Sequence, residues 1–415
     1  MKILLAGSGG REHAIADKLS QNKNITKIYC VPGNGGTASI PVCENIKLDT
    51  IEKIAGFAEE KGVDISIAGS EEFLVRGIAD QFDRRGLKFF GPKSQAAVLE
   101  GSKAYAKAFM KKYGIRTAAS ETFTDSGEAC AYLEKINTYP LVVKADGLAF
   151  GKGVVICPNE KSAKLTVREM IDGGAFGGAG KTVLIEQYLE GKEASVLSFC
   201  DGRTILPLLS AKDHKRAFDG DKGDNTGGMG AICPNPYVTE EVYQDFLENI
   251  AAPTLKGIQA EGLDFTGVIF FGLMITKGGI YLLEYNVRMG DPETQAVLPL
   301  MKSDLLALIE SALNKNLADF KLEWRRGHSI CVTVASGGYP RSYKKGFAIS
   351  GLEKVQKYFI AGADFNARGE IVTTGGRVLN IAAVAENAEA AYKKVYKDVA
   401  GVHFEGAFYR HDIGL

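Results

Sequence analysis

Two oxygen-bearing side chains stand two residues apart at the end of an apolar segment. Glu284 and Asn286 follow the bulky residues 280–283, which predict a β-strand after a glycine-containing turn at 277–279. Side chains two apart on a strand leave the same face, so a carboxylate and an amide oxygen would lie side by side. Such hard oxygen ligands suit Mg²⁺ or Mn²⁺, which take water and substrate phosphates as further ligands. The spacing therefore predicts a divalent-metal site at this strand end.

The residues after this strand extend the polar cluster. Arg288 has a planar guanidinium that can hold a carboxylate or a phosphate beside the metal. We expect a helix to follow, with Asp291 as its N-cap and Pro292 at its first position. An isolated Glu-x-Asn would more often be ordinary strand-end polarity. The concentration of Glu, Asn, Arg, Asp and Glu within ten positions favours a functional site.

A lysine interrupts a second segment that otherwise has the composition of a buried strand. Residues 141–143 are apolar and lead into Lys144, and a loop containing Gly147, Gly151 and Gly153 follows. A lysine in this position can reach phosphates while glycine amides surround them. The loop is not a Walker sequence, because the G-x-x-x-x-G-K-[ST] pattern is absent and a strand is predicted to follow. An ordinary hairpin loop with exposed lysines is the alternative interpretation.

Two further segments have features of a ligand site. Residues 186–189 follow a short apolar strand, and their backbone groups are suited to pair with the edge of an adenine ring. Residues 210–230 mix cations, acids and glycines in what we predict to be a long loop without regular structure, and such loops are usually functional. His214 within this loop would, taken alone, more often be a surface histidine than a catalyst.

The first predicted strand–helix turn has some of the glycines of a dinucleotide-binding fingerprint. Gly7 and Gly9 are present, but Glu12 stands where the third glycine is needed. The second strand ends at 32–36 without an acid that could bind a ribose hydroxyl. NAD binding is therefore disfavoured. A phosphate at the N-terminus of the helix after Gly9 is an alternative to a purely structural turn.

Length and composition bound the class of protein. A chain of 415 residues with 45% hydrophobic and 24% charged residues predicts two to four globular domains. Lysine plus arginine and aspartate plus glutamate number 50 each, so no overall charge recruits nucleic acid or an anionic membrane. Seven cysteines without a C-x-x-C pair indicate free thiols in a reducing compartment, and we expect a cytoplasmic protein. We expect neither a signal peptide nor a membrane span.

The alternation of elements predicts a multidomain protein of mixed α/β and α+β class. Residues 1–101 alternate apolar strands with helices, one of them near 72–85, and predict an open, mainly parallel sheet. Residues 102–324 begin with a helix over 102–113, whose lysines we interpret mostly as a solvated face, and include a small α+β unit at about 117–189. Residues 325–415 predict a small α+β domain whose loops contribute to the nucleotide pocket.

Motifs spread over essentially the whole chain occur in an order that is specific, although each is weak or moderate alone. They lie at residues 9–14, 32–36, 144–147, 151–154, 213–216, 225–230, 286–293 and 409–414. In this order they resemble the phosphoribosylamine–glycine ligase family, also called glycinamide ribonucleotide synthetases, of the ATP-grasp superfamily. The resemblance implies an N-terminal open sheet, a two-subdomain ATP-grasp clamp and a C-terminal domain. It also implies ATP-driven ligation of glycine to 5-phosphoribosylamine through a glycyl phosphate, a step of purine biosynthesis, with Mg²⁺ or Mn²⁺.

The resemblance implies roles for particular residues of this sequence. Glu284 and Asn286 correspond to the metal ligands, while Arg288, Asp213 and Lys215 correspond to residues that hold the substrates at the reaction centre. The nucleotide would contact Lys103, Lys144, Gly151, Lys152, Gly153, Glu186, Gln187, Leu189 and Glu193. Within this set, Glu186 and Leu189 would lie at the adenine and Glu193 at the ribose. Substrate binding would involve Gly9, Gly10, Asn34, Asn225, Thr226, Gly227, Gly228 and Met229.

Three positions depart from the family pattern. Ser70 and Asp224 stand where proline is usual, and Phe150 stands where a small residue is usual. These changes affect loop stiffness and leave the metal and phosphate residues intact. Many ATP-grasp enzymes also have an acid on the strand preceding Glu-x-Asn, and 268–275 has none, so the number of tightly held metal ions stays open.

Three other functions compete with this interpretation. Another ATP-grasp carboxylate–amine ligase would share the composition and spacing and differ in its substrates. A non-catalytic ATP-binding protein is disfavoured by the intact Lys144, Glu284 and Asn286, and a nicotinamide-dependent dehydrogenase by Glu12. The expected partners are the small molecules glycine and 5-phosphoribosylamine, with neither nucleic acid nor membrane. We expect a monomer in preference to an oligomer.

Overall fold

The computed structural model describes residues 1–147, 153–174 and 177–415. Its N-terminal part is a five-stranded parallel sheet in the order β3-β2-β1-β4-β5. Ile3, Leu4 and Leu5 on the central strand are fully buried because helices cover both faces of the sheet. The elements are β1 (Lys2–Gly7), α1 (Gly10–Leu19), β2 (Lys27–Pro32), α2 (Gly35–Ala38), β3 (Cys43–Asn45), α3 (Ile51–Lys61), β4 (Ile65–Ala68), α4 (Glu71–Val75), α5 (Ile78–Asp83), β5 (Phe89–Phe90), α6 (Ser94–Gly101) and α7 (Lys103–Lys112). The predicted open parallel sheet is confirmed.

The helix predicted near 72–85 is wrong as a single element. The segment forms two short helices, α4 and α5, which are separated at Arg76 and Gly77. Gly77 has a φ of +81°, in the left-handed region that side chains other than glycine rarely adopt. The left-handed backbone at Gly77 changes the direction of the chain between the two helices. The apolar periodicity continues through this break, and for this reason the sequence pattern predicts one helix.

A small four-stranded antiparallel sheet follows, in the order β6-β9-β7-β8. It has its own hydrophobic core, in which Val143 and Val167 are fully buried. This small subdomain contains β6 (Ser120–Phe123), α8 (Ser126–Leu133), β7 (Leu141–Ala145), β8 (Val154–Cys157), α9 (Glu160–Ile171) and β9 (Val183–Gln187). Residues 148–152, which include Phe150, Gly151 and Lys152, lie outside the described residues.

A second antiparallel sheet, β11-β10-β16-β17, packs against the N-terminal sheet. Phe271 and Leu282 share one continuous core with Leu4 and Phe82, so these two units are a single packed body. The segment contains β10 (Lys192–Cys200), β11 (Ile205–Pro207), β12 (Lys212–Asp213), β13 (Arg216–Phe218), β14 (Lys222–Asn225), β15 (Gly230–Cys233), α10 (Glu240–Phe246), α11 (Ala252–Ala260), β16 (Gly267–Thr276), β17 (Gly279–Asn286), α12 (Glu293–Val297) and α13 (Leu305–Leu313).

The C-terminal sheet includes strands from the middle of the chain. Its order is β12-β15-β18-β22-β19, so Gly230–Cys233 pairs with a strand that follows residue 325, and Lys212–Asp213 joins the sheet at its edge by pairing with Gly230–Cys233. The predicted boundary at 324/325 falls between β15 and β18, which pair within this sheet, so the division of the chain into domains stays a prediction. The remaining elements are β18 (His328–Ala335), β19 (Tyr358–Ile360), β20 (Ala363–Phe365), β21 (Ile371–Thr373), β22 (Arg377–Ala385) and α14 (Ala388–Val399).

The segment 210–230, predicted as an unstructured loop, contains a hairpin formed by β13 and β14. The C-terminal tail holds the tip of this hairpin. Arg410, which is 1% exposed, donates to both carboxylate oxygens of Asp412 at 2.7 Å and to Asp221 at 2.8 Å. Asp412 in turn accepts from the Gly220 amide at 2.8 Å. Distant sequence supplies these contacts, so local composition did not predict the hairpin.

The helix after β17 starts later than expected. The sequence suggested Asp291 as N-cap and Pro292 as first helical residue, whereas α12 begins at Glu293 with Pro292 at the cap position. Asp291 does not cap this helix because its carboxylate accepts from the Arg11 amide at 3.2 Å and from Gln295 at 2.9 Å.

None of the helices in the described part of the chain has the length and apolar character that a bilayer-spanning segment needs.

Replacing Arg410 by Met should destabilise the protein, because it removes a buried guanidinium and leaves Asp412 and Asp221 without their cation. Breaking such a cluster by removing one partner costs about 2–4 kcal/mol of unfolding free energy. The matched control is Arg341→Met, since Arg341 pairs with Asp224 on the same hairpin but its side chain is 81% exposed. Urea denaturation should show the loss only for Arg410→Met, and equal midpoints for both variants would contradict this account.

Candidate active site

The predicted metal ligands lie at a β-bulge near the end of β17. Leu282 pairs with Leu273 and Glu284 with Gly272, so Leu283 is an extra residue that shifts the alternation of side chains. Leu282 and Tyr285 consequently face the core, while Glu284 and Asn286 share the opposite, partly open face. A Cβ on Gly272 would lie 3.1 Å from Cγ of Glu284, so glycine leaves the space that this carboxylate occupies.

Lysines from two elements converge on one carboxylate across the cleft from β17. Glu186, on β9, is 2% exposed and accepts from Lys144 at 2.9 Å and from Lys107 at 3.1 Å. Lys103 donates to the Gly147 carbonyl at 2.7 Å. Burial lowers the pKa of Lys103, and it lowers that of Lys107 to about 8. The interpretation of the α7 lysines as mostly a solvated face is wrong for Lys103 and Lys107, because the small subdomain covers them.

The Glu284 carboxylate lies deep in this cleft and is surrounded by cations. Burial opposes its ionisation, but the charges of Lys215, Lys144 and Lys103 outweigh that effect and hold its pKa below the usual value. Lys215 itself lies 3.0 Å from Glu193, and the acidic neighbourhood raises its pKa although burial acts against this. The lowered pKa of Glu284 and the raised pKa of Lys215 thus favour the charged forms of both groups.

Arg288 is held between two acids contributed by other elements. Its Nε donates to Glu71 at 3.1 Å, and its Nη2 lies 3.0 Å from Glu100 and 3.2 Å from Oδ1 of Asn286. Glu100 also accepts from the Val287 amide at 2.7 Å, and burial raises its pKa to about 7. These contacts fix the guanidinium beside the predicted metal ligands and leave part of its donor capacity for a bound anion.

Two acids form the opposite side of the site. Burial and the charge of Glu293 raise the pKa of Asp213 well above its usual value, and burial raises that of Glu293 as well. Glu293 accepts from the Ser195 hydroxyl at 3.0 Å. Within the described residues, Oδ1 of Asp213 is buried without a hydrogen-bond partner. A buried carboxyl oxygen of this kind is suited to accept from a substrate amine or ammonium.

The predicted substrate loop lies directly against Asp213. A Cβ on Gly228 would come within 2.6 Å of Oδ1 of Asp213, so the glycine permits close approach. Thr226 is buried and its hydroxyl donates to the Lys215 carbonyl at 2.8 Å, while Met229 is fully buried. Asn225 is exposed at the end of β14. The structure thus brings 226–229 to the site and leaves Asn225 at its edge.

The N-terminal candidates lie at the carboxyl ends of β1 and β2. The Gly9 amide donates to the carboxylate of Glu12, which therefore occupies part of the helix N-terminus that could otherwise bind phosphate. A Cβ on Gly10 would overlap Asn380 and Gln295. The side chain of Asn34 caps α2 and donates to the carbonyls of Ser8 and Ile360 at 2.8 Å. Its polar atoms are thus engaged in joining three loops, and its contact with substrate stays a prediction.

The remaining nucleotide candidates lie along the small subdomain. Gln187 ends β9 with an exposed side chain, and Leu189 follows at an intermediate depth. The Gly153 carbonyl accepts from the Ala145 amide at 2.8 Å, which closes the loop between β7 and β8. Gly151 and Lys152 belong to the part of the chain that is not described, so their predicted roles carry no structural account.

The oxygen ligands present fit a divalent cation with few protein ligands. Throughout residues 1–147, 153–174 and 177–415, acids, histidines and cysteines form no cluster of three or more suited to a metal. Neighbouring lysines lower the pKa of Glu284, which favours its carboxylate form, and Asn286 lies on the same face of the strand. Two such ligands, completed by water and nucleotide phosphates, are typical of Mg²⁺ sites in phosphoryl-transfer enzymes.

Sequence inspection missed several residues of the site. The sequence patterns indicate no role for Glu71, Glu100, Tyr339 or Arg377, and they group Lys107 with the other lysines of its helix. The signal for Lys107 was its position four residues after Lys103, which places both on one helix face. Tyr339 and Arg377 lie after residue 325, more than a hundred residues from the loop that they contact.

The structure is that of an ATP-grasp protein. It has an N-terminal parallel-sheet domain, and a cleft lined by lysines lies between the small antiparallel sheet and the second antiparallel sheet. The chain belongs to the phosphoribosylglycinamide synthetase family, whose N, ATP-grasp (A) and C domain profiles match residues 1–100, 101–294 and 329–415. It is 54% identical to the phosphoribosylamine–glycine ligase of Clostridium acetobutylicum and 52% identical to that of Fusobacterium nucleatum subsp. nucleatum. The alignments cover 100% of this chain and 99% and 98% of those proteins.

Solved structures agree with this assignment. The crystal structure of phosphoribosylamine–glycine ligase from Thermotoga maritima has a TM-score of 0.86 and 36% identity, with full coverage of both chains. The biotin carboxylase domain of 2-oxoglutarate carboxylase from Hydrogenobacter thermophilus, in complex with the magnesium salt of ADP, has a TM-score of 0.73. That comparison covers 98% of this chain and 91% of the other, and at 16% identity it shows the fold alone.

Lys144 and Lys107 share Glu186 but should respond differently to replacement by Met. Lys144 faces β17, with its Nζ 3.5 Å from the Leu283 carbonyl, so its loss should weaken ATP binding about tenfold to a hundredfold. Lys107 points to Thr117, with a hydrogen bond of 2.7 Å, so its loss should mainly lower stability, by about 1–3 kcal/mol. Calorimetric ATP titration and thermal denaturation of both variants test this difference. The reverse pattern would show that Lys107 contacts the nucleotide and that Lys144 is structural.

Proposed function

We propose that this protein ligates glycine to 5-phosphoribosylamine with hydrolysis of ATP, giving glycinamide ribonucleotide, ADP and phosphate. The full-length similarity to proteins named phosphoribosylamine–glycine ligase supports the choice of substrates. The observation that carries the chemistry is the arrangement of Lys103, Lys144, Lys215 and Arg288 around the Glu284 carboxylate. Such a cluster is suited to a triphosphate and its transferring phosphoryl group.

The reaction requires activation because a carboxylate does not react with an amine unaided. A glycine carboxylate oxygen attacks the γ-phosphorus, the bond to the β–γ bridging oxygen breaks, and ADP leaves. The amine of phosphoribosylamine then attacks the carbonyl carbon of glycyl phosphate, the carbon–oxygen bond breaks, and phosphate leaves with that oxygen. The amine loses one proton as the amide forms. Both steps depend mainly on positioning and on neutralising charge.

The residues of the site divide between these tasks. Lys103 and Lys144 bind the nucleotide phosphates, and the backbone after Glu186 binds the adenine. Arg288, held by Glu71 and Glu100, presents donors to the glycine carboxylate beside the metal ligands. Asp213 faces the loop 226–229 on the side where the amines would lie. The cleft thus separates an anion-binding end from an acidic end.

Glu284 and Asn286 would hold Mg²⁺ or Mn²⁺ in this scheme. The ion, when bound, would supply positive charge to the β- and γ-phosphate oxygens. The protein contributes a carboxylate whose pKa the neighbouring lysines lower, and the bulge at Leu283, which places the shared face of both ligands opposite the buried side chain of Leu282. Two protein ligands of this type do not discriminate strongly between the two metals.

Asn286→Ala should leave the fold intact and lower turnover by about a hundredfold, because one oxygen ligand near the transferring phosphoryl group is lost. The effect should be largest at limiting Mg²⁺. Steady-state assays across a Mg²⁺ series, with thermal denaturation as the check on folding, make the measurement. A variant with the wild-type rate at limiting Mg²⁺ would remove Asn286 from the metal site.

Glycine labelled with oxygen-18 in its carboxylate should transfer one label to inorganic phosphate in each turnover. The label moves because the oxygen that attacks the γ-phosphorus leaves with phosphate in the second step. Sustained ADP formation over many turnovers should require both glycine and 5-phosphoribosylamine, and mass spectrometry should find the label in phosphate. Label in AMP, or accumulation of pyrophosphate, would instead show an adenylate intermediate. A steady-state rate of ADP formation that is independent of 5-phosphoribosylamine would contradict the proposed pair of substrates.

A further inference from the structure

One residue of the predicted substrate loop is fixed on both sides by the C-terminal part of the chain. The Gly227 amide donates to the phenol oxygen of Tyr339 at 3.0 Å. The Gly227 carbonyl accepts from Nη1 of Arg377 at 2.6 Å. Both polar backbone groups of Gly227 are therefore bound by side chains that lie more than a hundred residues away in sequence.

The same guanidinium also contacts the connection that follows β17. Nη1 of Arg377 donates to the Asp291 carbonyl at 2.7 Å, and Nη2 lies 3.4 Å from the Asp291 carboxylate. This connection lies between Arg288 and Glu293. Arg377 thus joins the two chain segments that form the acidic end of the cleft.

The environment of Arg377 is suited to a fixed, charged connection. Its side chain is 21% exposed, and although burial opposes its charge, Asp291 and Asp213 raise its pKa. A guanidinium can donate to several acceptors in one plane, whereas an ammonium is a single point charge on a flexible stem. The contacts to Gly227 and Asp291 use this geometry.

The loop beside Arg377 has little room to move or to accept a side chain. Gly228, the next residue, has a φ of +114°, and a Cβ there would come within 2.6 Å of Oδ1 of Asp213 and 2.5 Å of Pro292. The backbone therefore already lies close to the buried carboxyl of Asp213. A displacement of about 1 Å at such a point can reduce the rate about a hundredfold.

We propose that Arg377, with Tyr339, is a positioning residue for the reaction: it holds the backbone at Gly227 and Gly228 against Asp213 and so sets the substrate end of the cleft. The nucleotide end, formed by Lys103 and Lys144, does not depend on it. This inference rests on the proposed function for its kinetic consequence, and on the contacts alone for its structural consequence.

The test compares Arg377→Met, Arg377→Lys and Tyr339→Phe with Arg341→Met. Arg341 is the matched control, since it joins the same C-terminal region to Asp224 by a 2.6 Å contact on the exposed side of the hairpin. We expect kcat/KM for glycine and 5-phosphoribosylamine to fall about a hundredfold in Arg377→Met, and about tenfold in Arg377→Lys and Tyr339→Phe. The Kd for ATP should stay within about twofold in all four variants, and Arg341→Met should retain wild-type kinetics.

Hydrogen exchange of the amides at 226–229 supplies a readout that is independent of the substrates. Exchange there should accelerate in Arg377→Met and Tyr339→Phe, and stay unchanged at β7 and β9. Tyr339→Phe removes one oxygen only, so it preserves the test if Arg377→Met fails to fold.

Three outcomes decide between the explanations. Parallel losses of ATP affinity and of kcat/KM, or wild-type kcat/KM in Arg377→Met and Tyr339→Phe, would overturn the positioning role. Wild-type protein that forms no ADP in the presence of both substrates would refute the proposed function. In that case the hydrogen-exchange comparison would still confirm or refute the claim that Arg377 positions the backbone at Gly227.

Discussion

Compensation of buried charge is the constraint on which the cleft depends. An unpaired buried ion costs several kcal/mol, so each charged side chain brought into the interior must meet an opposite charge. Glu186 balances lysines from α7 and β7, and Glu71 with Glu100 balances Arg288. Because the partners lie on different elements, these contacts fix the small subdomain, the N-terminal sheet and β17 relative to one another. The ion pairs that offset the free-energy cost of burying these charges therefore also fix the geometry of the site.

The distribution of these pairs also divides the cleft into two chemical ends. Near Glu284 three lysines and Arg288 come close enough to lower the pKa of the carboxylate, and this group of cations favours a polyanion such as a nucleotide triphosphate. Near Asp213 and Glu293 burial raises the pKa values of the carboxyl groups, and within the described residues Oδ1 of Asp213 has no hydrogen-bond partner, so it can accept a hydrogen bond from an amine. A ligase that joins a carboxylate to an amine with ATP needs both environments within one cavity.

The organisation of the C-terminal sheet explains why the substrate end involves a region that follows the ATP-grasp domain. β12 and β15 belong to one sheet with β18 and β22, so both ends of the segment between β12 and β15 are anchored in the C-terminal sheet. Residues of the tail at 409–414 hydrogen-bond to the tip of the β13–β14 hairpin, and Arg377 hydrogen-bonds to Gly227, just after β14. The C-terminal part of the chain thus holds the loop 226–229, while the proposed nucleotide contacts lie on the small subdomain and on α7.

The sequence alone determined the features that depend on local pattern and on ordered motifs. The buried strand that leads into Lys144 and the strand after its glycine loop are confirmed as β7 and β8, because apolar patterns and turn glycines are local properties. The pairing of Glu284 and Asn286 on one face followed from strand geometry. Only the tertiary structure decided which lysines of α7 are buried, that Glu71 and Glu100 hold Arg288, and that Arg377 reaches Gly227. Burial and ion pairing depend on which surface packs against a residue, and that surface comes from distant parts of the chain.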